Sequence, residues 1–166
     1  SYISFILPFL ALLQACPAFL ASRDRLDQET FTMKREIRQE ENGTISFGNH
    51  LMDEKKKVLD FEVNGDLYNV KTFSEITKLE KNGKMVLEAV PGATVHNFVM
   101  DEKGSKFTVE GAEDAQITLE LDPETEYKIL IDDVNVGKMK SNLAGKVTFS
   151  VELQKGASAV AIEKIG

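Results

Sequence analysis

Residues 58–70 read VLDFEVNGDLYNV: two short runs of mixed apolar and polar residues that meet at Asn64-Gly65. Both residues of that dipeptide accept positive φ, as a two-residue hairpin turn demands, so Asn-Gly between two such runs is the strongest short-range hairpin signal. The dipeptide recurs on either side. Asn42-Gly43 leads into Thr44-Ile45-Ser46-Phe47, and Asn82-Gly83 joins Ile76-Thr77-Lys78-Leu79 to Lys84-Met85-Val86-Leu87. Three hairpins in about fifty residues read as a meander. Gly43 is also open to a second reading, as a helix C-cap.

The pattern extends in both directions. Upstream, Phe31, Met33, Arg35 and Ile37 alternate with Thr32, Lys34, Glu36 and Arg38 in the two-residue rhythm of a strand, although Leu26, Met33 and Ile37 also fit one helical stripe. Downstream, Pro91-Gly92 ends a strand, Ala93 to Met100 form the next, and Asp101-Glu102-Lys103-Gly104 turn into Phe107-Thr108-Val109-Glu110. Strand follows strand without room for a crossover helix, so pairing must be mainly antiparallel. Turn signals at intervals of roughly 8–12 residues favour a sandwich over a barrel. The expected fold class is all-β, an antiparallel β-sandwich of Greek-key and meander connections.

Residues 116–131, QITLELDPETEYKILI, alternate at Ile117, Leu119 and Leu121, turn at Asp122-Pro123, and alternate again at Tyr127, Ile129 and Ile131. Leu121, Pro123, Thr125 and Tyr127, at every second position before a core strand, resemble the signature of the fibronectin type III family and of related immunoglobulin-like sandwiches. The resemblance implies that Pro123 sets a turn between sheets. It also implies that Tyr127 buries its ring while its hydroxyl bonds to backbone upstream. After it come Asp132 to Gly137, then 138–142, a turn at Leu143-Ala144-Gly145, a strand whose Val147, Phe149, Val151 and Leu153 share one face, and a closing strand over 157–165.

The start of the chain is different. Residues 1–22, SYISFILPFLALLQACPAFLAS, carry no charge, and from Tyr2 to Ala21 they are apolar nearly all round, with Ser4 and Gln14 the main exceptions. That length is close to the roughly 20 residues a helix needs to span a bilayer's hydrocarbon core. Pro8 and Pro17 each remove a backbone donor and would kink such a helix or divide it. Four readings compete. A secretory signal peptide would explain the small residues near Ala15 and Ala21, without a basic residue ahead of them. Leu13-Gln14-Ala15-Cys16 resembles a lipobox. A membrane anchor would be flanked by Arg23 and Arg25, beside Asp24 and Asp27. An assembly helix would pack against copies of itself, an architecture that resembles the pilins, with Phe5 where their stalk carries a glutamate. The expected organisation is an apolar, helical segment over 1–22, a charged junction over 23–29 and the sandwich over 30–166.

Composition narrows the chemistry. Net charge is −7, with Lys and Arg scattered, so the sequence bears no electrostatic footprint for nucleic acid. One cysteine, Cys16, forms no internal disulfide, and His50 and His96 alone make no ordinary zinc site. The chain has no Trp, the strongest platform for stacking a sugar ring. Asp132, Asp133 and Asn135 offer oxygen ligands of the kind calcium takes between strands, against the competing reading of a turn whose side chains bond nearby backbone. Glu110, Glu113 and Asp114 read as a solvated loop. Asn42-Gly43-Thr44 matches the N-glycosylation acceptor pattern. Asp53-Glu54 running into Lys55-Lys56-Lys57 reads as a solvated mixed-charge loop or a docking site for an acidic partner.

These observations lead to an expectation of a non-enzymatic structural protein of the cell surface or extracellular space, without cofactor. Its sandwich head would stand on an apolar stalk, Tyr2 to Ala21, that inserts in membrane or self-associates into a filament or oligomer. The alternatives are a module binding carbohydrate or protein through a sheet face or loops, for which a row of exposed Tyr or Phe would be the mark, and an accessory subunit of a larger enzyme.

Overall fold

The computed structural model describes residues 36–165. The expected stalk, the junction and the first alternating residues, Phe31 to Arg35, lie outside the described residues. Thirteen strands follow one another: β1 Ile37–Gln39, β2 Ile45–Phe47, β3 Lys56–Val63, β4 Asp66–Phe73, β5 Ile76–Lys81, β6 Lys84–Val90, β7 Thr94–Asp101, β8 Gly104–Glu110, β9 Ala115–Glu120, β10 Glu126–Ile131, β11 Val134–Lys140, β12 Lys146–Val151 and β13 Ser158–Lys164. No helix occurs among the described residues.

The strands form two antiparallel sheets, one of seven in the order β1-β2-β7-β8-β13-β10-β11 and one of six in the order β12-β9-β6-β5-β4-β3. The architecture is all-β and sandwich-like. The meander expected from the Asn-Gly turns is the run β3 to β6, consecutive neighbours in the six-stranded sheet. Two of the three turns are of the mirror-image type, with Asn64 and Gly65 at φ 51 and 87 and Asn82 and Gly83 at 51 and 84. The third closes a three-residue loop: Glu40 N–H donates to the Thr44 carbonyl at 2.7 Å, and only Gly43 of its dipeptide is left-handed, at φ 88.

Alternation places one face of each strand inside. Across the six-stranded sheet, Val58, Val70, Leu79, Leu87, Leu119 and Val147 stand opposite one another in one inner row. They join a core to which the other sheet contributes Ile37, Phe47, Val95, Phe98, Phe107, Val109, Tyr127, Ile129, Val160 and Ile162. Phe98 packs edge-on against Phe47, ring centroids 5.6 Å apart. Val147, Phe149, Val151 and Leu153 are all buried, as their shared face implied.

The chain passes from the six-stranded to the seven-stranded sheet between β9 and β10, at Asp122-Pro123. Tyr127 is buried and its hydroxyl oxygen accepts the Asp122 N–H at 3.0 Å. Ser141 ties the same corner, its hydroxyl donating to the Asp122 carbonyl and accepting the Thr125 N–H. The Leu121 N–H donates to the Gly145 carbonyl at 2.6 Å, and a Cβ on Gly145 would meet the Leu121 carbonyl oxygen at 2.1 Å. Close backbone approach therefore requires glycine there.

Candidate functional site

Asp132 and Asp133 occupy the two central positions of the β10–β11 turn, at φ 53 and 66, and Val134 to Gly137 already belong to β11. The strand begins earlier than the sequence suggested because Asp tolerates the left-handed backbone that a two-residue turn needs. Asp132 Oδ1 accepts the Ala159 N–H and Asn135 Oδ1 accepts the Gly137 N–H, each at 2.9 Å. Each thus has one oxygen committed to backbone. Among the described residues no three His, Cys, Asp or Glu side chains gather as metal ligands.

The other candidates are spread over the fold. His50 Nδ1 lies 2.7 Å from Thr94 Oγ1, and His96 Nε2 lies 3.0 Å from Glu110 Oε2. Asp114 Oδ1 caps the chain after β12 by accepting the Leu153 N–H. Glu113 is exposed. Asn42 is exposed on its turn, its Oδ1 accepting both the N–H and the hydroxyl of Thr44. Cys16 lies outside the described residues. Near His96, the Glu40 carboxylate accepts the hydroxyl of buried Ser46 and stands 3.1 Å from Arg38, and the Ser46 bond above all holds Glu40 below the usual carboxylate range. A serine that donates to a carboxylate while accepting the Asn97 N–H has its oxygen engaged as structure. Glu36, the first of the described residues, is buried, and neither carboxylate oxygen has a side-chain or backbone partner among the described residues. Burial pushes its carboxyl up, and its own backbone amide and Lys56 offset part of that.

Aromatic side chains offer no outward row among the described residues: Tyr68, Tyr127, Phe47, Phe98, Phe107 and Phe149 are buried, and Phe61 and Phe73 are half-buried. Stacking of a neutral sugar has no platform there.

The outer face of the six-stranded sheet carries a feature that sequence reading missed. Lys57 on β3 stands directly opposite Lys71 on β4, which stands directly opposite Lys78 on β5. The row continues through Glu88, Thr118 and Thr148, the two threonine hydroxyls 2.9 Å apart. Like charges directly opposite on one sheet face destabilise it. The only carboxylate within ion-pairing distance of the three lysines among the described residues is Glu80, 3.4 Å from Lys78.

A β-bulge creates this row. Pairing that ran regularly from the Asn64-Gly65 turn, where Val63 faces Asp66, would set Lys57 opposite Thr72, whose side chain is buried. An irregularity between Val58 and Phe61, with Asp60 left-handed at φ 56 and its N–H donated to Asn69 Oδ1, shifts the register by one. Lys56 then takes the place opposite Thr72, Lys57 turns outward, and Leu59 is left 65% exposed. Bulges commonly re-aim side chains in this way. Lys57, Leu59, Asn69, Lys71, Lys78 and Glu80 line a cleft of about 160 Å³.

Comparison of the chain with protein-family models, with curated proteins and with solved structures produced no match.

Proposed function

We propose that this chain is a non-enzymatic structural protein of the cell surface or extracellular space. In this reading the sandwich is a self-sufficient head of fibronectin-like, Greek-key type, and the stretch from Tyr2 to Ala21 attaches it to a membrane or to like subunits. The observation that carries the proposal is the contrast along the chain. Residues 36–165 close a core with their own side chains, whereas residues 1–22 are an uncharged apolar run whose burial needs a solvent other than water. The mechanism is association by apolar burial, with the head supplying a stable exposed surface.

The test uses the full chain. Leu10→Asp and Leu12→Asp should abolish recovery with membranes or assemblies while the far-UV circular dichroism of the sheets stays unchanged. Variants that sediment like the parent chain would defeat the proposal. Imaging of the native particle separates its two forms, since an anchor gives membrane-bound particles and an assembly helix gives filaments or closed oligomers.

A further inference from the structure

We infer that Asn64 is a site of spontaneous covalent modification: its side-chain amide closes on the Gly65 nitrogen to a succinimide, which water opens to isoaspartate. The same dipeptide at Asn42-Gly43 and Asn82-Gly83 is held back by the fold. The inference rests on described residues alone and holds whether the apolar stretch anchors or assembles the protein.

The chemistry needs only water and hydroxide. Hydroxide takes the Gly65 amide proton, the nitrogen attacks Asn64 Cγ, and the bond from Cγ to Nδ2 breaks, releasing ammonia. Water then opens the cyclic imide at either carbonyl. Opening at the backbone carbonyl leaves the chain running through the former side chain, as isoaspartate, and opening at the other leaves aspartate. Either way a water is consumed and an ammonia lost. Glycine favours the attack because no Cβ shields its nitrogen. All three Asn-Gly pairs share that advantage and all three are exposed, so neither sequence nor exposure ranks them.

Hydrogen bonds do. Asn82 is fastened to the neighbouring hairpin: its N–H donates to the Leu67 carbonyl at 2.7 Å, its Oδ1 accepts the Leu67 N–H at 2.9 Å, and its Nδ2 donates to Asp66 Oδ1 at 2.9 Å. Turning Cγ toward the Gly83 nitrogen means releasing both side-chain bonds, which slows the attack roughly tenfold or more. At Asn42, Oδ1 accepts both the N–H and the hydroxyl of Thr44, and the N–H of Gly43, the attacking group, donates to the Glu40 carbonyl at 3.0 Å. Asn64 differs on both counts. The strand ladder closes at Val63 and Asp66, and among the described residues neither the Asn64 side-chain amide nor the Gly65 N–H has a hydrogen-bond partner. Nothing lies within 4 Å of a Cβ built on Gly65, so water reaches the turn.

The consequence falls on a sheet edge. Isoaspartate adds a carbon to the backbone of a turn with only two central residues, so Val63 and Asp66 no longer meet in register. β3 is the last strand of its sheet and pairs with β4 alone, so the end of β3 loses the closure that holds it. Aspartate keeps the turn, because Asp-Gly suits the same backbone. The isoaspartyl product, rather than the added charge, is therefore what loosens the strand.

The experiment is incubation of the full chain in non-ionic detergent at mildly alkaline pH, with and without urea. Peptide mapping by mass spectrometry follows the amide-to-acid change at each asparagine, and methylation by an L-isoaspartyl methyltransferase detects isoaspartate. In the folded chain Asn64 should convert at least tenfold faster than Asn42 and Asn82. In urea, which removes the hydrogen bonds, the three should convert at like rates. Chymotrypsin should cut after Phe61 sooner in the aged chain than in the fresh one, whereas fresh Asn64→Asp should resist like the fresh parent, and Asn64→Gln should stay resistant on ageing. Conversion at Asn42 or Asn82 as fast as at Asn64 in the folded chain would overturn the inference, as would a ranking that survives in urea. An Asn64 that converts only in urea, or an aged chain no more open to chymotrypsin than Asn64→Asp, would also overturn it.

Discussion

Replacing Tyr127 by Phe tests the corner on which the passage between the sheets turns. The ring, 2% exposed, keeps its place in the core, so the substitution removes one oxygen and almost no apolar contact. That oxygen accepts the Asp122 N–H at 3.0 Å, and the neighbouring polar groups have other duties: Ser141 serves the Asp122 carbonyl and Thr125 N–H, and Thr125 Oγ1 donates to the Pro123 carbonyl. The Asp122 N–H is then left without that acceptor in a partly buried turn. Leaving such a donor unsatisfied costs about 1–3 kcal/mol, against about 3–5 kcal/mol for removing a large buried ring altogether. In a domain of this size 1 kcal/mol moves the midpoint of thermal unfolding by roughly 4 °C. Urea unfolding of the parent, Tyr127→Phe and Tyr127→Ala chains, followed by far-UV circular dichroism, gives the three free energies at one slope. Thr125→Val, which loses only an exposed bond, should change stability by less than about 0.5 kcal/mol. If Tyr127→Phe is as stable as the parent, the hydroxyl contributes nothing and the account of the corner is wrong.

Other positions give equally direct tests. Gly145→Ala combines a φ of 85 with a Cβ 2.1 Å from the Leu121 carbonyl oxygen and should cost more than about 3 kcal/mol. Gly65→Ala, at φ 87 with nothing within 4 Å, should cost only the left-handed strain of about 1–2 kcal/mol, and paired urea titrations compare the two. Leu87→Ala, at a fully buried position between Leu79 and Leu119, should lose about 2–5 kcal/mol by the same measurement. Glu36 predicts a pH dependence. Its folded pKa is raised above 4.5 by burial, so its contribution to stability is complete below that value and is lost as pH rises through the folded value. Glu36→Gln should match the parent at acidic pH and exceed it at neutral pH, and parallel titration curves of stability would show that folding does not raise the carboxyl's pKa.

What could be read from the sequence was whatever local chemistry decides. Asn64-Gly65 and Asn82-Gly83 select their turns by backbone preference alone, and Leu121 to Tyr127 carry a corner whose hydrogen bond runs only five residues back. The alternation at Val147 to Leu153 names its buried face without reference to any partner strand. The lysine row was hidden because each of its members is an ordinary surface residue, and their adjacency is a property of register. Residues 57 and 71 meet only because Asp60 is left-handed, and nothing in the composition of Val58 to Phe61 marks the bulge, since Leu59, Phe61 and Val63 alternate as if all three faced inward. Asp132 and Asp133 illustrate the opposite case. Their chemistry was visible, but whether an Asp pair binds an ion or turns a hairpin depends on the strand that follows.

The energetics of the row follow from its geometry. Lys71 has a like charge directly opposite it on both sides, and each such cross-strand pair changes stability by roughly 0.2–1 kcal/mol. Thr in its place removes both repulsions and is itself favoured on a pleated surface, so Lys71→Thr should stabilise the fold by about 0.5–1 kcal/mol at low ionic strength. Screening should erase most of that gain as the Debye length falls to about 3 Å near 1 M salt. The comparison is urea unfolding of parent and variant at low and high salt. A variant that is more stable than the parent at low salt and not at high salt would show that the row is held against its own repulsion. If Lys71→Thr is no more stable than the parent at low salt, the ammonium groups already splay far enough apart to ignore one another.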